Sequence, residues 1–129
     1  MPIQNRADGD IVVLSNFGRL MDDPRHFDAS RDVGEMIDKG FRKFVLELRG
    51  VNVLGSSGFG LLMTITRLVR KHGGEVVLMS PSRVMEKLLD EMRLDDYWEV
   101  CEDLDEARTY LDRELPGAGA GASEGPDGE

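Results

Sequence analysis

Two periodicities alternate along this chain. Short apolar, β-branched runs recur at residues 10–14 (DIVVL), 43–48 (KFVLEL), 75–79 (EVVLM) and 97–101 (YWEVC). Such runs are the signature of strands buried in a sheet. Between them apolar residues return every three to four positions, the spacing of helices that bury one face. Ala29, Val33, Met36 and Ile37 form such a stripe after Asp28, closed by Gly40. Residues 58–72 carry a second stripe, Leu61, Leu62, Ile65, Leu68 and Val69, and finish Arg70-Lys71-His72 before Gly73-Gly74. Cations in a last turn followed by glycine mark a helix C-terminus. Ser80-Pro81 predicts a third helix, with Ser80 as cap and the stripe Val84, Leu88, Leu89 and Met92. Asp103, with Glu106 three residues on, predicts a fourth, with stripe Leu104, Ala107 and Leu111. A weaker strand at residues 2–6 precedes the first run, and Asp8-Gly9 between them is a hairpin signal.

The resulting order is (β)β-α-β-α-β-α-β-α. Strands separated by single helices imply parallel neighbours joined by right-handed crossovers. This predicts an α/β fold, a mostly parallel sheet of four to five strands packed with helices into a small sandwich. EVVLM, apolar throughout, suits a strand covered on both faces. From Pro116 onward only Gly, Ala, Ser, Pro and acids remain, a composition that buries nothing. At 129 residues the chain divides into one domain over 1–115 and a disordered tail over 116–129.

Charge narrows the partners. The formal net charge is −9, with three acids and no base in the tail, which leaves −6 on the body. Binding through a phosphate backbone needs a basic face, so direct nucleic-acid contact is not expected. Docking on anionic lipid is disfavoured for the same reason. No apolar run reaches the length of a membrane span, and the start MPIQNRADGD has no apolar signal core. A single cysteine, Cys101, excludes an internal disulfide, and no Cys/His set has zinc spacing. These features predict a cytoplasmic protein without a metal or cofactor, whose partner is a protein or a small molecule.

In sheets of this type ligands and partners meet the chain where strands end and helices begin. The loop of most unusual composition at such a place is Gly55-Ser56-Ser57-Gly58-Phe59-Gly60, between KFVLEL and the second helix. Three readings are open. One serine serves as N-cap and the glycines supply turn geometry. Alternatively, a serine here is a phosphorylation site, since a helix N-terminus favours negative charge and a phosphate would place nearly two charges on an exposed corner. Third, a strand, glycine-rich loop and helix could cradle a nucleotide, but the spacing G-x-x-G-x-G is not G-x-G-x-x-G and no G-K-[ST] is present. A G-x-S-x-G nucleophile elbow is absent, and GSSG lacks the flanking bases that a KH-type RNA loop would want.

GSSGFGLLM after a strand, then HGGEVVLMSPS, then LLDEMRLDDYWEV, resembles the STAS domain, and within it the bacterial anti-sigma factor antagonists. Their signature is approximately D-S-S/T-G-L-G-x-L, followed by a glycine pair, a strand and an S-P-x-V-x-x-L helix. The resemblance covers roughly residues 10–112. It implies a binding switch, not an enzyme. The unphosphorylated protein binds an anti-sigma factor that is often also a serine kinase, and a sigma factor is released. Phosphorylation of the first serine of the motif ends the contact, and a metal-dependent serine phosphatase resets it. By position that serine is Ser56, with Ser57 as the alternative. Three positions depart from the pattern: Gly55 stands where Asp is usual, Glu47 where the preceding strand carries a shorter acid, and Met21, in Asn16-Phe17-Gly18-Arg19-Leu20-Met21, where an acid is common. A STAS-like scaffold without a phosphoswitch is therefore the alternative function, and a small nucleotide-binding protein a third.

On the second helix Phe59 and Met63 stand off the main apolar stripe, four residues apart, and Thr66 and Arg70 extend their line. They either pack beneath a neighbouring element or form a semi-apolar contact patch beside Ser56. With Gly55, Ser56, Ser57 and Gly58 they make up the expected partner-binding set. Asp22, Asp23, His26, Asp28 and Asp32 cluster in sequence but read as loop and cap residues. Cys101 reads as a small buried hydrophobe, Trp98 as core, and His72 as a helix-end residue.

Overall fold

A computed structural model describes residues 4–15, 17, 27–51 and 56–116. Among the described residues there are five strands and four helices: β1 (Gln4–Asp8), β2 (Ile11–Ser15), α1 (Phe27–Asp38), β3 (Lys43–Glu47), α2 (Ser56–Lys71), β4 (Glu75–Met79), α3 (Arg83–Glu91), β5 (Glu99–Cys101) and α4 (Leu104–Glu114). The predicted first strand lies two residues later than its composition suggested. Gly9 and Asp10 form the two-residue hairpin loop, with Gly9 at φ +64°, a value tight hairpins reserve for glycine. The strand predicted over 97–101 is confined to its last three residues.

The strands lie in the sheet in chain order, β1-β2-β3-β4-β5. β1 is antiparallel to β2 and every later pair is parallel. Crossovers of one hand that always step in one direction place their helices on one face. Accordingly Val33 and Ile37 of α1, Leu62, Ile65 and Val69 of α2, and Met85 and Leu89 of α3 share one core with Val12, Leu14, Phe44, Leu46, Val76 and Leu78. The alternate residues Ile11, Val13, Val45, Val77, Met79 and Cys101 face the other way, against Ala107 and Leu111 of α4.

Polar ties hold α4 at one end of this second face. Lys43, only 4% exposed, donates through Nζ to Asp10 at 2.7 Å and to Asp112 of α4 at 2.6 Å. Arg108 of α4 reaches Asp8 at 2.8 Å. Burial pulls the Lys43 pKa down, but its hydrogen bonds to Asp10 and Asp112, and the charges of those carboxylates, outweigh it and hold the ammonium above its ordinary value. At the same end Gly74 is dictated by space: a Cβ there would collide with the Arg42 carbonyl oxygen and stand 2.8 Å from Val69.

Two sequence expectations for the third helix need correction. The cap is Ser82, whose hydroxyl accepts from the Met85 N–H at 3.1 Å, and the helix starts at Arg83. Ser80 instead adopts a left-handed φ of +55° and donates to the Glu102 carbonyl at 2.9 Å. The buried stripe is also rotated. Met85 and Leu89 are buried and Leu88 packs at their edge, while Val84 and Met92 are 54% and 48% exposed. α3 covers only one margin of the sheet, so one pair at i, i+4 suffices to seal it. The fourth helix is capped as expected, Asp103 accepting from the Glu106 N–H at 2.8 Å, while the Glu106 carboxylate accepts from the Glu102 N–H.

Candidate functional site

The loop singled out by sequence lies at the carboxyl ends of the parallel strands. β3 leaves the sheet through a tight turn in which the Leu48 N–H donates to Met79 O and the Val51 N–H donates to Leu48 O. Val51 is buried, and its carbonyl accepts from the Ser82 hydroxyl at 2.9 Å. The exit of β3 is thus tied to the start of α3. Residues 52–55, including Gly55, lie outside the described residues. The next described residue is Ser56, which opens α2.

The second helix begins two residues earlier than its apolar periodicity suggested, so Ser56 and Ser57 both fall in its first turn. That turn contains no acid, and the last turn carries Arg70 and Lys71. Unpaired amides and the helix dipole give the N-terminus a positive potential that no carboxylate of α2 opposes. Gly58 is buried. Glu47 shares the α4 face of the sheet with Val45 and pairs with Arg49 at 3.5 Å, so it points away from the face on which α2 lies. Of the early segment, Phe17 is buried in the core. Asn16, Gly18, Arg19, Leu20, Met21, Asp22, Asp23 and His26 lie outside the described residues, as does the tail from 117 to 129. Among the described residues no group of His, Cys, Asp and Glu could hold a metal ion.

The remaining residues of the expected contact set turn inward. Phe59 is 9% exposed and joins the core under α2, with Met63 packed at its edge. Thr66 has no exposed surface at all. Its hydroxyl donates to Leu62 O at 2.8 Å and accepts from Trp98 Nε1 at 2.8 Å. Arg70 donates to Glu75 at 2.8 Å and to Tyr97 O at 2.6 Å, with its guanidinium stacked 4.6 Å from the Tyr97 ring centre. Phe59, Thr66 and Arg70 therefore bind α2 to its own fold. Thr66 is withdrawn as a contact residue because it presents no surface to a partner. The reason lies in the position of α2 between α1 and the α3–β5 connection, which widens its buried arc beyond the five-residue stripe of the sequence. The exposed side is narrow: Gly60, Thr64, Arg67 and Lys71, each one residue beyond the positions singled out by sequence.

A cleft of about 380 Å³ opens at the ends of β4 and β5 among Arg49, Ser80, Glu86, Val100 and Glu102. Two carboxylates face one guanidinium there, which does not suit a polyphosphate. Cys101 at its edge is 1% exposed. Burial first, then the charges of Glu106, Glu99 and Asp103, push its thiol up to about 11. It is an inert core residue at neutral pH.

The family model described as STAS domain matches residues 6–107. The chain belongs to the STAS domain family. A Thermotoga maritima protein with the provisional name anti-sigma factor antagonist is 26% identical over 104 residues, 81% of this chain and 92% of that one. The solution structure of TM1081 superposes with a TM-score of 0.76 at 24% identity, covering 84% of this chain and 87% of that one. The anti-sigma factor antagonist SpoIIAA, solved unphosphorylated, gives 0.67 at 20% identity over 86% and 94% of the two chains. The phosphorylated form of SpoIIAA, from Bacillus, gives 0.64 at 20% over 84% and 98%. The STAS domain fills nearly all of the described body, and among the described residues no helix is long and apolar enough to cross a membrane.

Proposed function

We propose that this chain is an anti-sigma factor antagonist whose contact with an anti-sigma factor is ended by phosphorylation at Ser56. The observation that carries the reading is the placement of Ser56 and Ser57 in the first turn of α2, in a STAS domain whose fold is shared with a SpoIIAA solved both without and with its phosphate. A phosphate at a helix N-terminus gains charge-assisted contacts with first-turn amides and adds nearly two negative charges there. Gly55, Ser56, Ser57 and Gly58 make the contact, with Met63 and Arg70 at its margin. The partner is both anti-sigma factor and serine kinase, and a serine phosphatase restores the hydroxyl. The chain itself acts in the cytoplasm by binding alone, with no cofactor, catalysis, membrane docking or nucleic-acid contact. Ser57 is the alternative acceptor.

One observation favours a second reading. Gly55 replaces the acid that the family pattern places before the serine, so a STAS binding module without a phosphoswitch fits the same fold. The test is incubation with ATP, magnesium and each anti-sigma factor of the source genome, followed by mapping of the modified residue by mass spectrometry. Phosphate is expected on Ser56. Ser56→Asp should weaken binding at least tenfold and Ser56→Ala should bind in the presence of ATP as the parent does in its absence. Intact binding without phosphate on either serine would leave the module without a switch. Tight binding of a nucleotide by the isolated chain would point instead to a phosphate cradle.

A further inference from the structure

The helices of this sheet do not all leave it on the same side. β2, β3 and β4 are each followed by a helix, α1, α2 and α3, that packs on one face. β5 is followed by α4, which packs on the other. β4 and β5 are parallel neighbours, so their outgoing connections diverge to opposite faces and open a crevice between them. In open α/β sheets such a point, outside the carboxyl ends of the strands, is where ligands are held. No such divergence exists at the loop before α2, because β2, β3 and β4 send their helices the same way. The cleft of about 380 Å³ lies at the β4–β5 divergence, at the small end of the roughly 300–1,000 Å³ typical of small-molecule sites.

The two walls of this cleft are pinned to each other. Ser80, at φ +55°, holds a left-handed backbone that a residue with a Cβ disfavours. In that conformation its N–H donates to Cys101 O and its hydroxyl to Glu102 O, both at 2.9 Å. The main-chain groups at the rim are thus used within the fold, and the charged side chains are what the cleft offers. Arg49 is 72% exposed and only loosely engaged, at 3.5 Å from Glu47 and 3.4 Å from the Ser80 hydroxyl. Among the described residues the Glu86 and Glu102 carboxylates have no hydrogen-bond or ion-pair partner. Val100, 37% exposed, and Pro81 supply apolar surface between them. A ligand matched to two acids, one base and an apolar floor carries two cations, one anion and a methylene stem. We infer that the cleft binds a free basic α-amino acid, its carboxylate at Arg49, its two cationic groups at Glu86 and Glu102, and its stem on Val100 and Pro81. This site is separate from the Ser56 contact and does not depend on it.

The test is a titration of the ¹⁵N-labelled full chain with L-lysine and L-arginine, followed by amide chemical shifts, with L-glutamate as the comparison. The amides of Ser80, Val100 and Glu102 should shift together with a Kd of about 1 mM or tighter, and glutamate should leave them in place. Arg49→Met should weaken lysine binding about threefold to fivefold, the effect of one solvent-exposed ion pair. It should not weaken binding of cadaverine, the diamine that lacks the carboxylate. Glu86→Gln/Glu102→Gln should abolish the preference for lysine over glutamate. Glu99→Gln, on β5 but outside the cleft, is the control and should bind as the parent does. The inference is overturned by unmoved cleft amides at about 10 mM lysine and arginine, ten times the expected Kd, or by shifts scattered over the surface. Equal binding of glutamate overturns it too, as does parent-like lysine binding by the double variant or a loss in Glu99→Gln equal to that in Arg49→Met.

Discussion

Replacing Thr66 by valine tests whether this residue holds the fold together or faces a partner. The two side chains have nearly the same shape and similar helix propensity, so the change removes one hydroxyl and little else. That hydroxyl is buried, and it is the acceptor for the indole N–H of Trp98, itself 3% exposed. The Leu62 carbonyl keeps its helical partner without it. The indole N–H has no water to turn to, and leaving a buried donor unpaired costs about 1–3 kcal/mol. The extra methyl recovers part of this, so a net loss of about 1–2 kcal/mol is expected, or roughly 3–6 °C in melting temperature for a body of this size. Trp98→Phe should cost about 2–3 kcal/mol, since it opens a cavity as well as removing the donor. In the Trp98→Phe background no N–H remains to be orphaned, so Thr66→Val should cost less there by about 1 kcal/mol. Urea unfolding followed by circular dichroism at 222 nm measures all four corners of this cycle. Additivity within about 0.3 kcal/mol, or parent-like stability of Thr66→Val, would refute the buried bridge. The same variant should bind an anti-sigma factor within twofold of the parent. A tenfold loss of binding at unchanged stability would return Thr66 to the surface.

Two further expectations concern the sheet face under α4. Cys101 titrates at about 11 in the folded chain, above an unfolded thiol near 8.5–9. The unfolded state therefore loses its proton first, and stability present below pH 9 should fall as pH rises towards 11, by at most about 2–3 kcal/mol at 1.36 kcal/mol per unit. Cys101→Ala should remove that portion of the slope in urea melts taken between pH 8 and 11, and an unchanged slope would contradict the shift. Lys43→Met should destabilise the chain by about 2–3 kcal/mol, less than the 3–5 typical of a fully buried pair, because Asp112 is half in water and Asp10 keeps Arg108 at 3.4 Å. A loss under about 0.5 kcal/mol in the same assay would mean the Lys43 bridges contribute nothing net.

Most of the architecture was legible because each element carries its own period. DIVVL, KFVLEL and EVVLM are continuous apolar runs because central parallel strands are covered on both faces, and each became a strand. Asp103 and Glu106 marked the start of α4 by capping chemistry alone. Errors arose where local chemistry offered two equivalent answers. Ser80 and Ser82 both precede a helical stripe, and only the tertiary bond from Ser82 to Val51 O decides between them. On α3 the alternatives Val84/Leu88 and Met85/Leu89 have equal spacing, and the sheet margin accepts only the second. The buried arc of α2 was underestimated for a related reason. A helix flanked on both sides buries more than a simple stripe, so polar Thr66 and cationic Arg70 looked external. The signal that could have located the exposed face was Gly60 itself, together with Arg67 and Lys71, which complete its line at i+7 and i+11.

The geometry of α2 also limits how a phosphate could act on that line. The helix is gripped along its buried arc by the core and at its far end by Arg70 with Glu75 and Tyr97. A charge at Ser56 therefore meets a rigid element, and its effect is electrostatic and local, without refolding. At 1.5 Å per residue, Ser56 stands roughly 16 Å from Arg67 and 22 Å from Lys71 along the axis, beyond a Debye length of about 8–10 Å. The phosphate cannot neutralise those cations, and they cannot mask it. A partner lying along α2 would then feel two separate terms: the cations Arg67 and Lys71, which phosphorylation leaves intact, and the added charge at the N-terminal turn. Sites this far apart contribute additively. If a partner lies along α2, the penalties of Ser56→Asp and of Arg67→Glu/Lys71→Glu should accordingly add in the combined variant, because the two changes act at separate ends of one rigid helix.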